Sequence, residues 1–135
     1  MEKIKYEETL EFKRDLKKLS KKYRTLPEDL KVLKKAVIEL YHVNKIDNNS
    51  VFPIPGFCND KMLSYKVKKF ASKSLKGRGA KTGLRLIYIF LIKENKVLLE
   101  EIYFKGVKEN EDKERLEKYM RRFSDTLEKE IKGLE

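Results

Sequence analysis

The stretch Leu84 to Ile92 (LRLIYIFLI) limits what this chain can fold into more than any other. After Arg85 it is too apolar and too rich in β-branched and aromatic residues to be anything but a strand buried on both faces. A buried strand needs neighbours, and two candidates flank it. From Leu63 to Phe70 the residues alternate, with Leu63, Tyr65 and Val67 on one side and Ser64, Lys66, Lys68 and Phe70 on the other. Downstream, Lys93-Glu94-Asn95-Lys96 reads as a hairpin turn into a further strand, Val97 to Lys105. The sheet is therefore expected to be antiparallel there.

The rest of the chain supplies helices. Ile4 and Tyr6 alternate with charged residues as a short first strand, and Thr9 is a candidate N-cap. Phe12, Leu16, Leu19 and Tyr23 recur at helical spacing, ringed by Lys13, Arg14, Lys17, Lys18, Lys21 and Lys22. Thr25-Leu26-Pro27-Glu28 reads as a capping box that opens a second helix, whose stripe of Leu26, Leu30, Leu33, Val37 and Leu40 runs to about Val43. Residues 47–60, with Pro53, Pro55 and Gly56, read as an apolar loop packed across the sheet or helices. Asn110 is a candidate N-cap for a last amphipathic helix carrying Leu116, Met120, Phe123, Leu127 and Ile131 and ending at Gly133. The expected architecture is α+β, one domain over residues 1–135: an N-terminal helical hairpin and a C-terminal helix covering one face of a small antiparallel sheet.

Charge is unevenly spread. The net charge is +11, and residues 61–85 contain nine Lys or Arg and no Asp or Glu, leaving 24 basic against 22 acidic residues elsewhere. Such a concentration of cations repels itself unless it is solvated or matched to a polyanion, either nucleic acid or an acidic protein segment. Lys66 and Lys68 point the same way along their strand. If that strand neighbours the one beginning at Leu84, Lys66, Lys68 and Arg85 form one cationic site on a rigid sheet. The loop from Ala71 to Thr82 adds Lys73, Lys76, Arg78 and Lys81 and is expected to be mobile when unbound. Its Gly-Arg-Gly-Ala-Lys lacks the spacing and following helix of a Walker A loop.

Other chemistry is less favoured. Cys58 and His42 are the only residues of their types, and no Cys/His set has metal-ligand spacing, so no metal and no cofactor are expected. His42 reads as a surface or C-terminal capping residue, Tyr119 as core before catalysis, and Tyr88 and Tyr103 as core before base-stacking. No apolar run reaches the roughly 20 residues of a membrane helix, and the start lacks the apolar core of a signal peptide. A soluble, cytoplasmic protein with no membrane partner is expected.

The order of elements, the Tyr65-Lys66-Val67-Lys68 strand, the Gly83-Leu84-Arg85-Leu86-Ile87-Tyr88 strand and the Ile102-Tyr103-Phe104-Lys105 strand together resemble the RelE/ParE superfamily of bacterial type II toxins. The resemblance implies a RelE-like fold and a small basic toxin neutralised by a cognate antitoxin through an acidic segment. In the RelE-like branch it implies a metal-independent endoribonuclease that cuts mRNA on the ribosome, and in the ParE-like branch a gyrase inhibitor. Carried over, Lys66 and Lys68 match the paired strand lysines around the scissile phosphate, Arg85 the arginine that contacts it, and Lys105 a basic residue at the end of the following strand. Lys69, Lys73, Lys76, Arg78 and Lys81 are candidate contacts to the nucleic-acid backbone. This sequence departs from the pattern in the dozen residues inserted before Gly83 and in Gly106, where many RelE-like enzymes have a second arginine. Metal-free RNA cleavage needs a base for the 2′-hydroxyl, cations for the phosphorane charge and an acid for the leaving oxygen. A neutral amine from a crowded Lys66/Lys68 pair is the expected base. A non-catalytic basic module that binds an acidic antitoxin or nucleic acid is the competing expectation.

Overall fold

The computed structural model describes residues 3–47, 49–75 and 82–134, with side chains to residue 124. It is an α+β protein built on a five-stranded mixed sheet of order β1-β5-β4-β3-β2. The strands are β1 (Lys5–Glu8), β2 (Val51–Cys58), β3 (Met62–Val67), β4 (Leu84–Leu91) and β5 (Lys96–Phe104). Three pairings are antiparallel, but β1 runs parallel to β5, so the expected all-antiparallel sheet is corrected. The apolar run takes the central strand, as its composition demands: Leu84, Leu86, Ile87, Tyr88 and Ile89 are all fully buried.

Helix α1 (Leu10–Ser20) is capped by Thr9, whose hydroxyl accepts the Phe12 N–H at 3.0 Å. Helix α2 (Leu26–Leu33) runs on through a π-helical turn (Lys34–Glu39) into α3 (Leu40–His42). The capping box expected at Thr25 does not form. Thr25 is itself in the right-handed helical region, and its hydroxyl donates to Asp29 at 2.8 Å instead. Helix α4 (Lys113–Leu134) starts from Asp112, whose carboxylate accepts the Arg115 N–H at 3.1 Å, so Asp112 and not Asn110 caps it.

The helices lie on both faces of the sheet, not one. Phe12, Leu26, Leu30, Leu33 and Ile38 of the helical hairpin pack with Tyr65, Val67, Leu84, Leu86, Tyr88 and Leu99. On the opposite face Leu116 and Tyr119 of α4 pack with Met62, Ile87, Ile89, Leu98 and Tyr103. Alternation explains the division, since odd and even positions of β4 feed different cores and both are apolar.

Residues 51–58, expected within a loop, form the edge strand β2. An edge tolerates Pro53 and Pro55 because one side of the strand needs no ladder donors. The register shifts between Pro53 and Cys58, and Gly56 takes φ +85° there. The strand β3 stops at Val67, three residues sooner than alternation suggests. Phe70 then turns into the hairpin-side core and is fully buried, away from the face of Lys66. Among the described residues no helix is long and apolar enough to cross a membrane.

Candidate functional site

In the β3–β4 ladder Val67 pairs with Leu86 and Lys66 with Ile87, which sets Lys68 beside Arg85 at the strand ends. Lys66 shares a face with Ser64, whose hydroxyl meets Met120 of α4, and Arg85 shares one with Ile87 of the α4-side core. Lys66 and Arg85 thus share the α4 face. The Lys68 ammonium lies over the Phe52 ring, 4.5 Å from its centroid, on the residue paired with Lys66. Arg85 Nη1 donates to the Lys68 carbonyl at 3.0 Å and to the Leu84 carbonyl at 3.1 Å, which fixes the guanidinium between the two strands. Lys105 is exposed at the same end of the sheet, its N–H bonded to the Gly83 carbonyl at 2.8 Å.

The ladder therefore gathers Lys66, Lys68, Arg85 and Lys105 at one end of the sheet. A cleft of about 120 Å³ opens on the β2 side of this end, lined by Phe52, Pro53, Ile54, Pro55, Lys66, Lys68 and Glu111, with Arg85 and Lys105 outside its walls. That is room for a phosphate group and little more.

Glu111 was not foreseen. It lies in the connection between β5 and α4, and its carboxylate meets the Lys66 ammonium at 2.5 Å with only 5% of its side chain exposed. Burial would raise this carboxyl's pKa, but the hydrogen bond and charge of Lys66 outweigh it and hold the group below its usual range. No periodicity marks residue 111, because the contact is made by a loop folding back over the sheet. An ion pair stabilises the charged form of both partners, which is the reverse of what a lysine base requires. Of the two strand lysines, Lys68 has no carboxylate within ion-pair distance among the described residues.

Tyr103 pairs with Arg85 across β4 and β5. Its hydroxyl is buried without a hydrogen-bond partner among the described residues. Burial, then the charges of Glu111 and Glu101, raise its pKa, with Arg85 opposing them. Closed off from solvent in the α4-side core, that hydroxyl is out of reach of an external anion, so Tyr103 is a core residue as expected.

Of the loop cations, Lys73 is exposed, and its N–H donates to Asp29 at 3.2 Å. Asp29 also accepts from Ser72 Oγ at 2.6 Å, so residues 72–75 are tied to α2, not the free start of a mobile loop. Lys69 is exposed one position beyond Lys68. Lys76, Arg78 and Lys81 lie outside the described residues.

His42 is not a surface cap. It is half-buried, bonds the Tyr88 hydroxyl through Nε2 at 2.8 Å and stacks on Phe90 with centroids 4.2 Å apart. Burial and the Lys45 charge push its pKa down to about 4. Tyr88 is fully buried on the hairpin side, and Tyr119 donates to Glu11 at 2.9 Å from its place in the α4 core.

Compared with known proteins, the chain matches no family model, and no curated protein or solved structure is significantly similar to it.

Proposed function

We propose that the cationic end of β3 and β4 grips a phosphodiester and that the chain is a toxin of the RelE-like kind, an endoribonuclease acting on mRNA at the ribosome and held in check by an antitoxin. The observation that carries this reading is Arg85: its guanidinium is anchored to the Lys68 carbonyl at the end of β3 and shares a sheet face with the Lys66–Glu111 pair. A planar fork held this way presents its remaining N–H groups in fixed geometry, which suits a phosphate better than a flexible ammonium does.

In this reading Arg85 holds the phosphate, and Lys68 and Lys105 offset the charge gathering on phosphorus. Lys66 is paired with Glu111, so its part is to position that carboxylate; the proton of the 2′-hydroxyl goes to Glu111, and the charged Lys68 gives one to the departing 5′-oxygen.

A second reading is favoured by the same ion pair. A pocket in which Lys66 already accepts a carboxylate also suits an acidic antitoxin segment, with no cutting involved.

Pulse labelling after expression in bacteria tests the proposal. The endoribonuclease reading expects an immediate block in protein synthesis with cleaved transcripts, abolished by Arg85→Ala and not restored by Arg85→Lys. A DNA-damage response would instead indicate gyrase inhibition, and harmless expression the non-catalytic reading. Undiminished toxicity of a folded Arg85→Ala chain would remove the site assignment.

A further inference from the structure

Helix α1 and the turn after it carry seven Lys or Arg in positions 13–24, with Asp15 the one acid among them. Lys13, Arg14, Lys17, Lys18, Lys21 and Lys22 are all exposed. They form two rows at i, i+4, i+8, each step rising about 6 Å along the helix. The acids of α1 are turned elsewhere. Asp15 bonds Arg115 at 2.8 Å, while Glu11 pairs with Arg115 at 3.3 Å and Lys118 at 2.5 Å, both partners on α4. None of the six cations has an ion pair among the described residues.

Like charges at i, i+4 destabilise a helix, and Lys13/Lys17 and Arg14/Lys18 are two such pairs within α1, with Lys21 and Lys22 following just past its end. The helix dipole favours cations only near the C-terminus, where Lys17 and Lys18 lie, and does nothing for Lys13 and Arg14. A shallow groove of about 510 Å³ runs along one row, lined by Lys13, Lys17 and Lys21 with Leu16, Ser20 and Pro27, and Glu8 also borders it.

From this arrangement we infer that α1 docks on the phosphate backbone of a double-helical nucleic acid, on the sheet face opposite Lys66 and Arg85. A protein partner would need a broad apolar centre to its interface, whereas the exposed side chains between residues 13 and 22 are all cations and only Leu16 and Pro27 add apolar groups to the groove. A single strand would need aromatic platforms, but Tyr23, the aromatic at this end, is half-buried against Phe104 at 4.8 Å. Regular rows of cations with nothing to read bases fit a backbone that repeats its charge, and so predict binding that ignores sequence. The surface is separate from the strand-end site and does not require it to be catalytic.

Fluorescence anisotropy of the full chain with a 20-bp RNA duplex, a DNA duplex of the same length and polyglutamate, over a salt series, tests this. Lys13→Gln/Lys17→Gln/Lys21→Gln should weaken duplex binding about tenfold or more and lower the salt slope by roughly 2–3, one contact per lysine. The ratio of RNA to DNA affinity then identifies the source of the duplex. Arg85→Ala should leave duplex binding within about twofold. If the triple variant unfolds, Lys17→Glu alone should give a smaller loss in the same direction. Unchanged affinity and slope in the folded variant, loss of duplex binding in Arg85→Ala, or equal binding of polyglutamate would each overturn the inference.

Discussion

The Lys66 ammonium and the Glu111 carboxylate meet at 2.5 Å across the gap between β3 and the loop preceding α4. Through this contact a residue 45 positions downstream occupies the ammonium of a half-buried lysine at the candidate site. Glu111→Gln keeps the shape but removes the negative charge, so Lys66 becomes available to an anion. Inorganic phosphate or a short RNA should bind several-fold tighter to the variant, as read by NMR shifts of the Lys66 and Arg85 backbone amides. The same substitution should lower stability by about 1–2 kcal/mol at neutral pH, because Lys66 loses a mostly buried partner. Unaltered anion affinity would mean that Glu111 does not occupy the anion position.

Glu100 predicts a loss of stability towards alkaline pH. The register steps from Tyr88↔Leu99 to Ile87↔Glu101, so Glu100 is an extra residue and the bulge turns two consecutive carboxylates towards α4. Glu100 is fully buried 2.8 Å from Arg115 Nε, a guanidinium it shares with Asp15 and Glu11, and burial raises its pKa from 4.5 to about 8 against the pull of Arg115. A raised carboxyl means that the folded state holds its proton more tightly than the unfolded chain. Its contribution is complete below pH 4.5 and is lost as pH rises to about 8. Glu100→Gln should therefore flatten the stability profile between those limits, by roughly 2–4 kcal/mol in urea titrations at pH 5 and pH 9. A variant whose profile matched the parent would refute the assignment.

His42 predicts the opposite edge. Its folded pKa of about 4 lies below the ordinary 6.5, so the unfolded chain takes up the proton first and stability falls as pH drops from 6.5 towards 4. Partial exposure limits the effect to about 2 kcal/mol. His42→Phe preserves the stack on Phe90 and loses the bond to Tyr88. It should be somewhat less stable at pH 7 but less acid-sensitive, as measured by melting temperature across this range.

Asp29 ties the start of the cationic loop to the helical hairpin. Its buried carboxylate accepts from Thr25, Ser72 and Lys73. Asp29→Ala should cost about 2 kcal/mol and expose the chain near Lys73 to trypsin, while hydrogen exchange in β4 and β5 stays slow. Uniform loss of protection would show that the contact supports the whole fold.

How far the sequence could be read depended on whether a contact was local. Periodicity located α1, α2, α4, β3, β4 and β5 because a half-buried element repeats its apolar residues, and Thr9 was legible as a cap because its partner Phe12 is three residues away. The strand β2 was not, because prolines normally exclude a strand and only an edge position tolerates them. His42 looked superficial for a similar reason: its partners, Tyr88 and Phe90, are more than forty residues off.

Sequence by itself determined the central strand, the amphipathic helices, the cluster of positive charge and the shared direction of Lys66 and Lys68, all of which follow from side-chain chemistry and backbone period. Tertiary structure alone decided that the helices divide between two faces, that β1 joins in parallel, that Arg85 bonds to the Lys68 carbonyl and that Glu111 pairs with Lys66. Those relationships join residues distant in the chain. Closing the loops between them depends on packing and desolvation summed over the whole core, which no local pattern records.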